Sequence, residues 1–268
     1  MHQKQKDLQK RFEGLLQTPS LWKGKDLFNL QQFYLPSIIS KISININEKQ
    51  RLGKYVEQLV FYQLKQNNIT VLLENVQIQK NKRTLGEIDC IIQKNNLTIH
   101  LEIVYKFYLY DDKVGDNEIE HLIGPNRKDA LVEKLHKLKN KQLPFLYSTE
   151  SKNLLNSHNI SVIDIEQQVC FKAQLFLPYN NNVTLNKLNT SCISGFYIYK
   201  YQLKEFLDCK FYLPNKKDWL ITPHKNVDWQ NFNIFKLNIE EYLERKFSPM
   251  VWIKQQNGEL LKCFIVWW

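Results

Sequence analysis

LGEIDCIIQKNNLTIHLEIVYKFYL, residues 85–109, decides how this chain is read. Two apolar runs, 87–93 and 97 to about 110, flank the short polar link Lys94-Asn95-Asn96 and predict an antiparallel hairpin. Set into those runs are Glu87, Asp89, Glu102 and Lys106. Side chains alternate between the faces of a strand. Glu87, Asp89 and Ile91 therefore share one face of the first run. In the second, Leu97, Ile99, Leu101 and Ile103 form a buried row, while Thr98, His100, Glu102, Val104 and Lys106 share the other face. The hairpin then sets Asp89 beside Glu102. Two such charges repel and weaken a sheet, and carboxylates are poor strand residues. A divalent cation removes the conflict, because hard ions prefer carboxylate oxygens. Such an ion acidifies bound water and polarises a phosphate. A lysine on the same face would stabilise charge on that phosphate.

Upstream, RLGKYVEQLVFYQLKQ starts at Arg51, and Leu52, Tyr55, Val56, Leu59 and Val60 carry the spacing of an amphipathic helix. Residues 71–79 read as a further strand, with Asn81, Lys82 and Arg83 in the turn after it. Two short helical patterns, at 7–16 and 25–34, predict an N-terminal helical cover over residues 1–50.

Downstream of an acidic loop at 111–120, Asn126 is the expected cap of a second helix, with Asp129 in its first turn. Leu131, Leu135 and Leu138 form its apolar stripe and Pro144 its expected stop. The next strand is sought at 145–147 or 161–165. This order, α-β-β-β-α-β over residues 51–166, predicts a mixed α/β core. Residues 167–268 have shorter strand-like runs and Asn-rich links, and close on a hairpin signal at Asn257-Gly258. They are expected to form a smaller α+β lobe.

Composition narrows the function classes. The chain has 268 residues, 43% hydrophobic and 13% aromatic, enough for a real core. No run is long and apolar enough for a membrane span, and the polar start MHQKQKDLQKRF does not read as a signal peptide. The five cysteines are scattered with no C-x-x-C pair, which argues against a zinc ribbon or disulfide framework and for a reducing, cytoplasmic setting. A net charge of +10 suits an anionic partner. With only five arginines in an Asn-, Ile- and Gln-rich chain, it equally suits compositional drift.

G-E-x-D on one strand, followed by an acid and a lysine on the next, resembles the PD-(D/E)XK nuclease superfamily. Gly86-Glu87-Ile88-Asp89 is similar to the form in some Holliday-junction-resolvase-like members. RLGKYVEQLVFY, TLGEIDCII, HLEIVYKFYL, GPNRKDALVEKL and the strand near CFKAQLFLP together resemble an uncharacterised bacterial family, domain of unknown function 1853. The resemblance covers most of the chain from about Arg51 onward. It implies a restriction-endonuclease-like core and Mg²⁺-dependent (or Mn²⁺-dependent) cleavage of phosphodiester bonds. It also implies that Glu57, Asp89 and Glu102 bind the metal and that Lys106 completes the catalytic set. One departure stands out. The usual lysine follows the acid by two residues, where this chain has Val104, and Lys106 lies one strand repeat further on, roughly 7 Å.

Plainer readings accompany these. Glu57 alone is a boundary residue of a helix, Glu87 a strand-start acid and His100 a hydrogen-bonded structural histidine. Lys106 is equally a neutralising ion-pair partner. Arg127, Lys134 and Lys141, seven residues apart, with Lys137 beside them, form a stripe suited to a phosphate backbone or a solvated face. Tyr105, Phe107, Tyr108 and Tyr110 suit base stacking or a core. Two function classes follow: a metal-dependent nuclease acting on nucleic acid, DNA ahead of RNA, or a nuclease-like fold without catalysis that binds nucleic acid or a protein. A structural protein with an internal Lys–Glu–Asp network is the third.

Overall fold

The computed structural model describes residues 2–268. In chain order it contains α1 (His2–Gln17), α2 (Leu52–Gln66), β1 (Thr70–Lys80), β2 (Arg83–Lys94), β3 (Leu97–Tyr110) and β4 (Leu122–Ile123). These are followed by α3 (Leu131–Lys137), α4 (Leu143–Phe145), α5 (Thr149–Ser157), β5 (Glu166–Pro178) and β6 (Ile193–Tyr199). The chain ends with β7 (Lys210–Tyr212), α6 (Phe232–Glu244), β8 (Met250–Lys254) and β9 (Leu260–Val266). The fold is mixed α/β. The nine strands form one mixed sheet of order β1-β2-β3-β5-β6-β9-β8-β7, with β4 paired to β3. The pairs β5–β6 and β6–β9 are parallel, whereas β1–β2, β2–β3 and β8–β9 are antiparallel.

Two compact units emerge, each assembled from separated segments. One comprises Met1–Pro19, Lys106–Val132 and Ala173–Trp268; the other comprises Ser20–Tyr105 and Glu133–Lys172. In the first, Phe235, Ile239 and Leu243 of α6 pack with Ile198, Phe211, Val251, Ile253 and Ile265. In the second, Ile78, Ile88 and Ile91 pack with Leu146, Leu155, Val162 and Ile165. Burying one such aliphatic side chain contributes about 1.5–3 kcal/mol.

Turn chemistry fixes the strands that matter for the site. Asn95 and Asn96 have φ of 49° and 63°, the double left-handed conformation of a type I′ turn. The register then runs Lys94↔Leu97 to Cys90↔Leu101, one step short of Asp89 and Glu102. The β1–β2 turn uses the same geometry, at Asn81 (φ 50°) and Lys82 (φ 63°). Gly86 answers to close packing instead. A Cβ there would lie 2.7 Å from the Phe145 ring, so any larger residue would force that ring to move.

Several expectations are corrected. Residues 25–29 are turns and 30–34 an irregular stretch with a bridge at Gln32, not helix. Their backbone is taken up by β5, where Gln32 bridges Val169 and the Phe33 N–H donates to the Val169 carbonyl, so tertiary pairing overrides the helical spacing. Asn126 does not cap a helix: its Oδ1 accepts from the Ser248 N–H at 2.7 Å, and α3 starts at Leu131. Pro144 does not end the helical run. A π turn at Leu138–Gln142 intervenes and α4 follows, with proline in its first turn. The wider turn accommodates a ring that would clash with the carbonyl four residues back and that lacks an N–H. Neither 145–147 nor 161–165 is a strand; the next one is β5.

Candidate metal centre

The apolar stripe of α2 is buried, and Glu57 lies at its margin, 7% exposed. Lys54 sits three residues earlier on the same helix, and its Nζ lies 2.8 Å from Glu57 Oε2. The same ammonium reaches Asn75 Oδ1 at 2.9 Å and pairs with Glu87 Oε1 on β2. Asn75 lies in β1 with φ 51°, a left-handed conformation that asparagine tolerates better than most residues. Three elements thus converge on one lysine.

Carboxylate oxygens of Glu57, Glu87 and Asp89 lie within 4.8 Å of one another. Asp89 Oδ2 also accepts the backbone N–H of Ile103 at 2.9 Å, which ties β2 to β3 just past the last paired residues. Burial, reinforced by the Glu102 carboxylate and only partly offset by the Ile103 N–H, pushes Asp89 up from 3.8 to about 7. Burial raises Glu57 too, against the opposing pull of Lys54. Burial works against the charge of Lys54, but its hydrogen bonds to Glu57 and Glu87 outweigh that and raise it.

Glu102 is fully buried and held by two neutral donors. His100 Nε2 contacts Oε1 at 3.2 Å, and the Gln142 amide donates to Oε2 at 2.5 Å. Gln167 Nε2 lies 3.1 Å from His100 Nδ1. An amide nitrogen only donates, so Nδ1 accepts and Nε2 carries the proton given to Glu102. Lys134 Nζ donates to Gln142 Oε1 at 2.7 Å and so polarises the amide that faces Glu102.

Glu57 and Asp89 therefore lie in the carboxylate cluster, and Glu102 couples electrostatically to both. The third close carboxylate is Glu87. The expected lysine is engaged elsewhere: Lys106 Nζ pairs with Asp129 Oδ2 at 2.5 Å. Lys54 is the lysine that contacts the carboxylates. Its signal in the sequence was the three-residue spacing to Glu57. No sequence signal marked Gln142, whose reach depends on the π turn.

The basic stripe is not a single helical face. Arg127 precedes α3, has φ 54°, pairs with the buried Asp111 at 2.8 Å and lies over the Trp268 ring at 4.4 Å. Lys134 serves Gln142, while Lys137 and Lys141 are exposed. Of the aromatic row, Tyr105, Phe107 and Tyr108 are buried, which removes them as stacking surfaces, and Tyr110 packs edge-on against His121.

The family model described as a domain of unknown function (DUF1853) matches residues 28–266. No curated protein and no solved structure matches the chain. No helix among the described residues is long and apolar enough to cross a membrane.

Proposed function

This chain belongs to the DUF1853 family, and because that family's description names no activity, we propose a function from the site itself: metal-dependent cleavage of phosphodiester bonds in nucleic acid. The observation that carries this reading is the convergence of Glu57, Glu87 and Asp89, partly or wholly withdrawn from water, within 4.8 Å. Carboxylates held so close repel one another, and burial, with the Glu102 carboxylate adding to it, keeps a proton on Asp89 up to about 7. An all-oxygen donor set fits Mg²⁺ or Mn²⁺. When bound, such an ion would supply an acidified water and polarise a phosphate oxygen.

The chain's own residues have separable parts in this proposal. Glu57, Glu87 and Asp89 offer oxygens. Glu102 is held in place by His100 and Gln142 and adds negative potential beside Asp89. Lys54 offsets one of the cluster's negative charges and would be the positive group to meet an incoming phosphate. Lys106 is the other lysine the resemblance implies for that role. Lys137 and Lys141 offer phosphate contacts, with DNA favoured over RNA as substrate.

A second reading is a nuclease-like fold without catalysis that binds nucleic acid or protein. One specific observation favours it: the Lys54 ammonium already bridges Glu57 and Glu87, so the cluster is partly neutralised with no cation. Incubating end-labelled single- and double-stranded DNA and RNA with the protein, with and without Mg²⁺ or Mn²⁺, separates the readings. Metal-dependent cleavage that is lost in Asp89→Asn supports the nuclease. Binding without cleavage under every metal condition supports the second.

A further inference from the structure

A second constellation lies in the unit built around α6, and the nuclease reading does not use it. A cavity of about 540 Å³ is lined by Asp7 and Lys10 of α1 and by Tyr212, Asp218, His224, Asp228 and Trp252, among others. Its size is that of a small-molecule site. Lys10 Nζ lies 2.9 Å from His224 Nε2. An ammonium only donates, so Nε2 accepts and the imidazole proton sits on Nδ1. Burial, together with the Lys10 charge, lowers the His224 pKa, which keeps the ring in that neutral form.

This tautomer has a consequence. His224 Nδ1 and Trp252 Nε1 are both buried and both lack a hydrogen-bond partner. Their rings pack at 5.3 Å, nearly edge to face, and both line the cavity. Trp252 is 1% exposed, so bulk water does not satisfy its N–H. Two adjacent buried donors call for an acceptor atom.

The other groups lining the cavity specify what carries that acceptor. Three carboxylates, Asp7, Asp218 and Asp228, stand against one lysine, Lys10, and Asp218 is already paired with Arg11 at 2.7 Å. The balance is negative, which disfavours phosphates and carboxylates as ligands. The remaining carboxylates are acceptors, so a fitting ligand also donates hydrogen bonds. An uncharged polyol meets all three requirements, because each hydroxyl both donates and accepts.

We propose that this cavity binds the hydroxyl face of an uncharged sugar, free or as the ribose of a nucleoside. A sugar oxygen accepts from the His224 and Trp252 N–H groups, and sugar hydroxyls donate to Asp7 and Asp228.

The test follows the indole N–H resonances of the six tryptophans by NMR, with the full chain titrated with glucose, galactose, ribose, adenosine and ribose 5-phosphate. Trp252→Phe assigns the Trp252 resonance. The expected result is a saturable shift of that resonance by at least one neutral member, and binding at least roughly tenfold weaker for ribose 5-phosphate than for ribose. Adenosine against the free sugars distinguishes the two sources. Asp228→Asn, at an exposed position, should weaken neutral-sugar binding by roughly tenfold, the loss expected for one hydrogen bond to a charged acceptor. A Trp252 resonance unmoved by every neutral sugar overturns the proposal and leaves the two donors to an enclosed water. So does ribose 5-phosphate binding as tightly as ribose, or an affinity that Asp228→Asn leaves unchanged. If Trp252→Phe does not fold, the Asp228→Asn comparison decides alone.

Discussion

The Gln142 side-chain amide donates to Glu102 Oε2 at 2.5 Å, and Gln142 is the last residue of a π turn. From that turn a helix side chain supports a carboxylate buried in β3. Gln142→Leu removes the donor without leaving a large void. Glu102 then keeps only His100, and the variant should lose about 1–3 kcal/mol of stability, measured by urea denaturation. Gln142→Glu should cost more, because it sets a second charge against a fully buried one.

Lys262 makes a prediction independent of the carboxylate site. It is buried, with its Nζ 2.8 Å from Gln174 Oε1 and 2.8 Å from the Trp219 carbonyl, both neutral acceptors. Burial lowers its pKa from 10.5 to about 7. Between those values the unfolded chain holds a proton that the folded chain has shed, so stability should rise with pH across that window. Below about 7 both states are protonated and the full cost of the buried charge remains. Lys262→Met should flatten this slope and stabilise the protein at neutral pH. Chemical melts across the window measure it; a wild-type slope of opposite sign would contradict the account.

Lys54 and Lys106 can be told apart by mutation. Lys106 and Asp129 are both partly exposed, 33% and 40%, so Lys106→Ala should change stability by no more than about 1 kcal/mol. Lys54→Met leaves Glu57 and Glu87 without their shared cation. After allowance for its 40% exposure, that should cost roughly 1 kcal/mol in metal-free buffer. Millimolar Mg²⁺ should then raise the melting temperature of Lys54→Met by more than that of wild type. Cleavage assays on both variants show which lysine the chemistry uses; loss in Lys54→Met with retention in Lys106→Ala is expected.

Lys137 and Lys141 are the exposed members of the basic stripe. Replacing both with alanine should weaken nucleic-acid binding and reduce the slope of log K against log salt by about 0.7–0.9 for each phosphate no longer neutralised. An unchanged slope would make them ordinary solvated lysines.

The hairpin, its Asn95-Asn96 turn, α2 and the shared face of Asp89 and Glu102 were legible because period-two and period-3.6 patterns and left-handed asparagines are local signals. What was not legible was long-range. Residues 25–34 have helical spacing, but β5 captures their backbone. Pro144 reads as a helix stop, yet a π turn carries the helix past it. The site residues divide in the same way. Asp89 followed from strand parity and Glu57 from the family resemblance, and the Lys54 partnership was available from spacing to Glu57. Gln142 and Asn75 owe their places to one irregular turn and one left-handed strand residue, which no periodicity announces. Lys106 has the expected parity, but parity does not choose between partners, and Asp129 takes its ammonium.

The most direct test of the account is calorimetric titration of Mg²⁺ and Mn²⁺ into wild type and Asp89→Asn. The account predicts saturable binding to wild type, with protons released on binding at a pH below about 7, where Asp89 still holds its own, and loss of both signals in Asp89→Asn. Absence of binding by either ion to folded wild type, or binding that Asp89→Asn leaves intact, would contradict it.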